Sequence, residues 1–206
     1  MEALVQAATQ EIWMENNSQH AGRGQDSLAV KAITALLRDH VRSEKAGEAC
    51  RRMSYGFRKE CEAFLRAVLE MNPLREARAT ACLRLAQFLN ARMQRLDLLK
   101  EQPERARRYA ALFGEDYLAA LQARDRGSAI REVERFFEQA ARQYADVALP
   151  FGGTVGEKAR TELHELHYLV VGRPAQEIEG DDQDGRRFKL SDYRGKVVLL
   201  YFWSEY

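Results

Sequence analysis

The sequence predicts a mainly α protein, with an all-helical domain of helical hairpins over residues 1–169 and the first β elements of an incomplete α/β domain over 170–206. Three observations predict it. From Met1 to about Leu169 apolar residues recur at intervals of three and four, without the alternation of a strand. Near Val170 the pattern changes to short extended pieces around Asp184-Gly185. After these comes Val197-Val198-Leu199-Leu200-Tyr201-Phe202-Trp203, an uninterrupted apolar run of strand length.

The helical elements follow from three stripes and four prolines. Cys61, Phe64, Leu65, Val68 and Leu69 form one stripe; Cys82, Leu85, Leu89, Met93 and Leu96 a second; Ile130, Val133, Phe137, Ala140 and Tyr144 a third. Each leaves an Arg/Glu-rich face for solvent, so these helices pack on one side. Pro73 separates two stripes, Pro103 opens a helix, Pro150 ends one and Pro174 lies beyond the last. Thr154 and Glu157 have the spacing of a capping box, which predicts a helix from about Val155 to Leu169. The segments 64–73 and 136–149 share a helix-turn pattern, which suggests stacked hairpins of the tetratricopeptide or HEAT sort, although no repeat consensus is met.

The β elements are predicted at Glu177 to Glu179 and Arg187 to Leu190. Asp184-Gly185 between them takes the positive φ angles of a tight hairpin turn. Ser191 to Lys196 makes a polar turn containing Gly195. The run 197–203 has no outward polar position, so it suits a strand covered on both faces and paired along both edges.

Composition narrows the function. Lys plus Arg number 32 against 31 for Asp plus Glu, so no net field draws the chain to nucleic acid or to an anionic membrane surface. No stretch reaches the length of a membrane span, and the first ten residues lack the basic-then-apolar pattern of an export signal. Three cysteines, Cys50, Cys61 and Cys82, fit neither a disulfide framework nor a zinc site and are expected to be small core residues. His164 and His167 share a helix face, but no third metal ligand stands at a suitable spacing. Asp181, Asp182 and Asp184 are explained by the hairpin, and Gly152-Gly153 follows Pro150 with no strand before it, unlike a phosphate loop. No cofactor and no metal is expected.

The C-terminal residues carry a family resemblance. Gly172-Arg173-Pro174-Ala175, the Asp184-Gly185 turn, Leu190-Ser191-Asp192-Tyr193-Arg194-Gly195-Lys196 and Val197 through Trp203 resemble the opening of TlpA-like and other redoxin (AhpC/TSA) domains of thioredoxin fold. Gln176 departs from that pattern, where the family usually has proline, and so does Tyr206, where it usually has tryptophan. The pair Phe202-Trp203 resembles the disulfide-exchanging, TlpA-like branch, whereas the peroxidatic branch more often ends this strand in Phe-Tyr-Pro. Leu37 to Val41, Phe64 to Pro73 and Gly152 to Lys158 resemble N-terminal helical extensions of planctomycete-type redoxin proteins.

The resemblance implies a thiol-disulfide oxidoreductase. Its C-x-x-C is expected immediately after Tyr206, so the 206-residue chain holds no catalytic cysteine and is itself expected to be inactive. Phe202, Trp203 and Tyr206 are the expected flank of that site. The implied partners are a protein thiol or disulfide substrate and a reductant, with the helical domain free to bind a protein partner. Relatives of this type usually work outside the cytoplasm. The alternatives are a catalytically inactive helical interaction module and an AhpC/TSA-type peroxiredoxin.

Overall fold

The computed structural model describes residues 1–17, 27–201, 203 and 204, without the side chains of 11 and 14–17. They fall into two units, Met1–Leu163 and His164–Tyr206. The helices are α1 (Glu2–Asn17), α2 (Leu28–Asp39), α3 (Ala46–Met53), α4 (Lys59–Met71), α5 (Arg75–Glu101), α6 (Pro103–Phe113), α7 (Glu115–Gln122), α8 (Arg126–Gln143) and α9 (Val155–Tyr168). The only sheet among the described residues pairs β1 (Glu179–Asp181) with β2 (Arg187–Lys189). The mainly α reading with a partial C-terminal α/β portion therefore holds.

Helix α5 is the spine of the first unit. At 27 residues it is about 40 Å long, and α3, α4, α6 and α8 pack against it. Small residues admit close neighbours: a Cβ on Gly47 of α3 would stand 3.4 Å from the Ala77 Cα of α5. The three sequence stripes meet here. Cys61, Phe64, Leu65 and Val68 of α4, Cys82, Leu85 and Leu89 of α5, and Val133, Phe137 and Ala140 of α8 are buried together in the core. A second cluster centres on Phe57, whose ring lies 5.0 Å from both Tyr109 and Phe113, with Leu112, Leu118 and Leu121 around it. The edge-on Phe57–Tyr109 arrangement is the favoured one for aromatic quadrupoles.

Local chemistry sets the helix ends. Ser27 Oγ accepts from Val30 N at 3.2 Å to cap α2, and Asp125 Oδ2 accepts from Ser128 N at 2.7 Å to cap α8. Pro103 opens α6, where its missing N–H costs nothing. Thr154 and Glu157 form the expected capping box, with Thr154 N donating to Glu157 Oε2 at 2.8 Å and Glu157 N to Thr154 Oγ1 at 3.2 Å. Buried Asn72 ends α4 by donating to the Val41 and Ser43 carbonyls while accepting from Leu74 N, which fixes the turn holding Pro73.

A charge network runs through the α4, α5, α7 and α8 contacts. Arg92 of α5, only 4% exposed, donates to Glu62 Oε2 of α4 at 2.5 Å and to Tyr117 Oη of α7 at 3.1 Å. Tyr117 Oη in turn donates to the Phe57 carbonyl at 3.0 Å. Arg66 bridges Glu62 at 2.7 Å and Glu132 of α8 at 2.6 Å, and Arg124 closes on Glu132 at 2.9 Å. Burial pushes the Glu62 and Glu132 carboxyls up, but the guanidiniums outweigh it, Arg92 and Arg66 for Glu62, Arg66 and Arg124 for Glu132. Both carboxyls end below the ordinary carboxylate range.

In the second unit the hairpin forms with shifted edges. The register is Glu179–Lys189, Gly180–Phe188 and Asp181–Arg187, so the first strand lies two residues later than the sequence suggests. Only Gly185 takes a positive φ, 75°, while Asp184 stays on the negative side. A single left-handed residue at the turn's end suffices because Asp182 supplies the rest of the closure. Its Oδ1 accepts from Asp184 N at 2.9 Å and Arg186 N at 2.8 Å.

The strand expected over Val197–Trp203 does not form among its described residues, and Phe202 lies outside them. Val197, Leu199 and Tyr201 are 104%, 89% and 80% exposed, against 42% and 49% for Val198 and Leu200. That alternation marks an extended backbone with opposed faces. What is missing is a ladder partner, and a strand is defined by its neighbours.

Two stability outcomes follow. Glu62→Ala, which strands the buried Arg92 guanidinium, lowers unfolding free energy by about 3 kcal/mol in urea titrations at neutral pH. Because the folded-state pKa values of Glu62 and Glu132 lie below their unfolded values, their contribution is full above about pH 5 and drains as pH falls through the folded values, with urea midpoints dropping accordingly. Independently, Gly156→Ala drives a Cβ to 2.7 Å from Ala145 Cα and 2.8 Å from its carbonyl oxygen. This substitution costs roughly 1–3 kcal/mol and lowers the thermal midpoint.

Candidate functional site

The C-terminal segment is built from local interactions that aim the apolar run. Leu190 N donates to the Ile178 carbonyl at 2.9 Å, extending the hairpin by one bond. Leu190–Tyr193 then forms a 3-10 turn, with Asp192 Oδ2 accepting from Lys189 N at 3.0 Å. Glu177 Oε1 accepts from Ser191 N at 2.9 Å, and its hydrogen bonds with Ser191 hold the Glu177 carboxyl below the usual carboxylate range. Gly195, at φ 82°, turns the chain into the run, a conformation side-chain-bearing residues rarely adopt. Lys196 lies over the Tyr193 ring at 5.7 Å from its centroid.

Of the three residues expected to flank a redox site, Trp203 is described and 70% exposed. Phe202 and Tyr206 lie outside the described residues. The described residues of this segment include no cysteine.

The other candidates resolve as packing or local structure. Cys50, Cys61 and Cys82 are buried in the helical unit. Burial pushes the Cys82 thiol up to about 12 and that of Cys50 higher still, against the weak opposing pull of Arg135 on Cys82 and of Arg51 and Arg84 on Cys50. Cys82 Sγ donates to the Phe136 carbonyl at 3.4 Å, as a core thiol does. His164 pairs its Nε2 with Gln176 Oε1 at 3.1 Å and stacks on Tyr168 at 4.9 Å between ring centroids. Gln176, one of the two departures from the family pattern, thus ties the segment after α9 to the helix end. Among the described residues no three His, Cys, Asp or Glu side chains stand together as metal ligands. None of the described helices is long and apolar enough to cross a membrane.

Sequence reasoning missed the Glu62–Arg92–Tyr117 network. The available signal was Arg92 itself, a cation three residues after Leu89 on an apolar stripe, with Glu62 and Arg66 spaced as an i, i+4 pair.

Residues 171–206 match the AhpC/TSA family. Neither curated proteins nor solved structures gave a significant match to the chain. The matched segment contains the hairpin, the 3-10 turn, Gly195 and the apolar run, the same residues that carry the redoxin resemblance.

The cysteines yield a direct test. In the folded chain Cys50, Cys61 and Cys82 do not react with Ellman's reagent at pH 8 within minutes; all three react in denaturant, and quantitative fast labelling of the native chain would contradict their burial.

Proposed function

We propose that residues 170–206 open the redoxin domain of a thiol-disulfide oxidoreductase of the TlpA-like branch, carried behind a helical domain that receives a protein partner. The observation carrying this reading is the ordered succession of hairpin, Leu190–Tyr193 turn, Gly195 and extended apolar run, ending in Trp203, within the segment matching the AhpC/TSA family. In such a domain the run becomes a central strand. Its C-terminal end delivers a C-x-x-C to a helix N-terminus, where amides and dipole favour thiolate over thiol.

The chemistry is exchange. The first cysteine's thiolate attacks one sulfur of a substrate disulfide and expels the other as thiolate. The second cysteine, deprotonated, attacks the mixed disulfide, so the substrate leaves as a dithiol and the C-x-x-C is left oxidised. A reductant of the same dithiol class resets it. Phe202, Trp203 and Tyr206 form the apolar flank before the first cysteine, and Trp203 directly after Phe202 favours exchange over peroxide chemistry.

The second reading, an inactive helical interaction module, is favoured for the 206-residue chain alone by the burial of all its thiols. The two readings separate in one experiment. The coding sequence following Tyr206 is read, and the extended protein is assayed for insulin reduction with dithiothreitol. The oxidoreductase reading expects Cys-x-x-Cys directly after Tyr206, activity in the extended protein, and loss of at least about a hundredfold when the first cysteine is replaced by serine. A different sequence there, or activity indifferent to that serine, overturns it. Peroxide consumption in place of insulin reduction would assign the protein to the peroxidatic branch.

A further inference from the structure

A cleft in the helical unit lies between α5, the end of α7 and the start of α8, and encloses about 60 Å³. Leu89, Met93, Leu96 and Leu121 give it an apolar floor, and Arg124 and Arg126 stand among its lining. A water-sized probe fills about 10–15 Å³, so this space admits roughly four to six non-hydrogen atoms.

Its electrostatics are unbalanced. Asp97 serves both Lys100, at 3.0 Å, and Arg126, at 2.9 Å. Glu132 serves both Arg124 and Arg66, and Glu62 both Arg66 and Arg92. Three carboxylates thus answer five cations, leaving an excess of positive charge beside an apolar pocket, where field lines are focused. Arg126 also spends its Nη1 on the Met93 sulfur at 3.7 Å. A thioether is a weak acceptor, and a carboxylate oxygen arriving at the cleft would outcompete it.

We propose that this cleft binds a small aliphatic monocarboxylate, with its chain on the floor formed by Leu89, Met93 and Leu121 and its carboxylate between Arg124 and Arg126. The site is independent of the redoxin reading and lies wholly within the helical unit. The volume sets the ligand's size: a branched tail of about four or five carbons fills it, and longer chains leave it. The charge excess sets its sign, since an amine would meet the same cations unfavourably.

The full 206-residue chain is titrated with 4-methylpentanoate at low salt, following the methionine and leucine methyl resonances. A dissociation constant on the order of 1 mM is expected, with saturable shifts at Met93, Leu89 and Leu121. The isosteric 4-methylpentanamide, lacking the charge, and acetate, lacking the tail, should each bind at least about tenfold more weakly. The Arg124→Gln/Arg126→Gln double variant should lose about tenfold in affinity, and Ala129→Leu, which fills the cleft, should abolish binding. Equal affinity for acid and amide, shifts that do not include Met93, or no saturation at roughly ten times the expected constant overturns the proposal. The acid–amide comparison uses the unaltered chain, so it decides the matter even where a variant fails to fold.

Discussion

Burying Arg92 is the constraint on which the helical unit depends. A guanidinium cannot be left dry and unpaired, because its desolvation costs several kcal/mol unless charge and hydrogen bonds answer it. Glu62 answers it from α4 and Tyr117 from α7, and Arg66 passes the network to Glu132 on α8. Each of these contacts holds at one rotation and one translation of its helix. The apolar stripes alone would tolerate sliding by a turn; the network does not. Three helices, α4, α7 and α8, are thereby fixed to the spine in one register, and the Phe57 cluster is fixed with them through the bond from Tyr117 to the Phe57 carbonyl.

What could be read from the sequence divides along the same line. Stripes, prolines and caps are local signals, and α4, α5, α8 and α9 stand where these placed them, down to the reciprocal Thr154–Glu157 bonds. Glu62 with Arg66 could be read as a surface pair on one helix. That Arg66 also reaches Glu132, 66 residues on, could not, because helical periodicity says nothing about which faces meet. Arg92 was hidden for a related reason: on a stripe, a charged residue reads as the stripe's edge, and only the partners brought by other helices move it inside. In the hairpin, Asp184-Gly185 gave the turn's place, yet Asp182, two residues earlier, does the organising.

The C-terminal segment separates local from non-local structure again. Hairpin, 3-10 turn and the left-handed Gly195 are secured by bonds spanning a few residues to 14, and all of them form. The run that follows alternates in exposure from Val197 to Tyr201 but joins no ladder among its described residues. Each buried Val, Leu or Phe side chain is worth about 1.5–3 kcal/mol, and that gain exists only when other strands and helices cover it. Composition therefore specifies what the run is suited for, while pairing depends on chain elements that local sequence does not encode.

The thiols make the chemical version of this argument. Exchange needs a thiolate, which needs exposure and a positive local field. Cys82 stands in the opposite environment, where burial pushes its thiol up and keeps it un-ionised at neutral pH. Cys50 is more protected still, and Cys61, on the α4 stripe, is buried among the same helices. The helical unit has thus placed each of its thiols in its packed core, away from the exposure that exchange requires. Burial costs the packing nothing, since an un-ionised thiol fills its site as a small apolar group does.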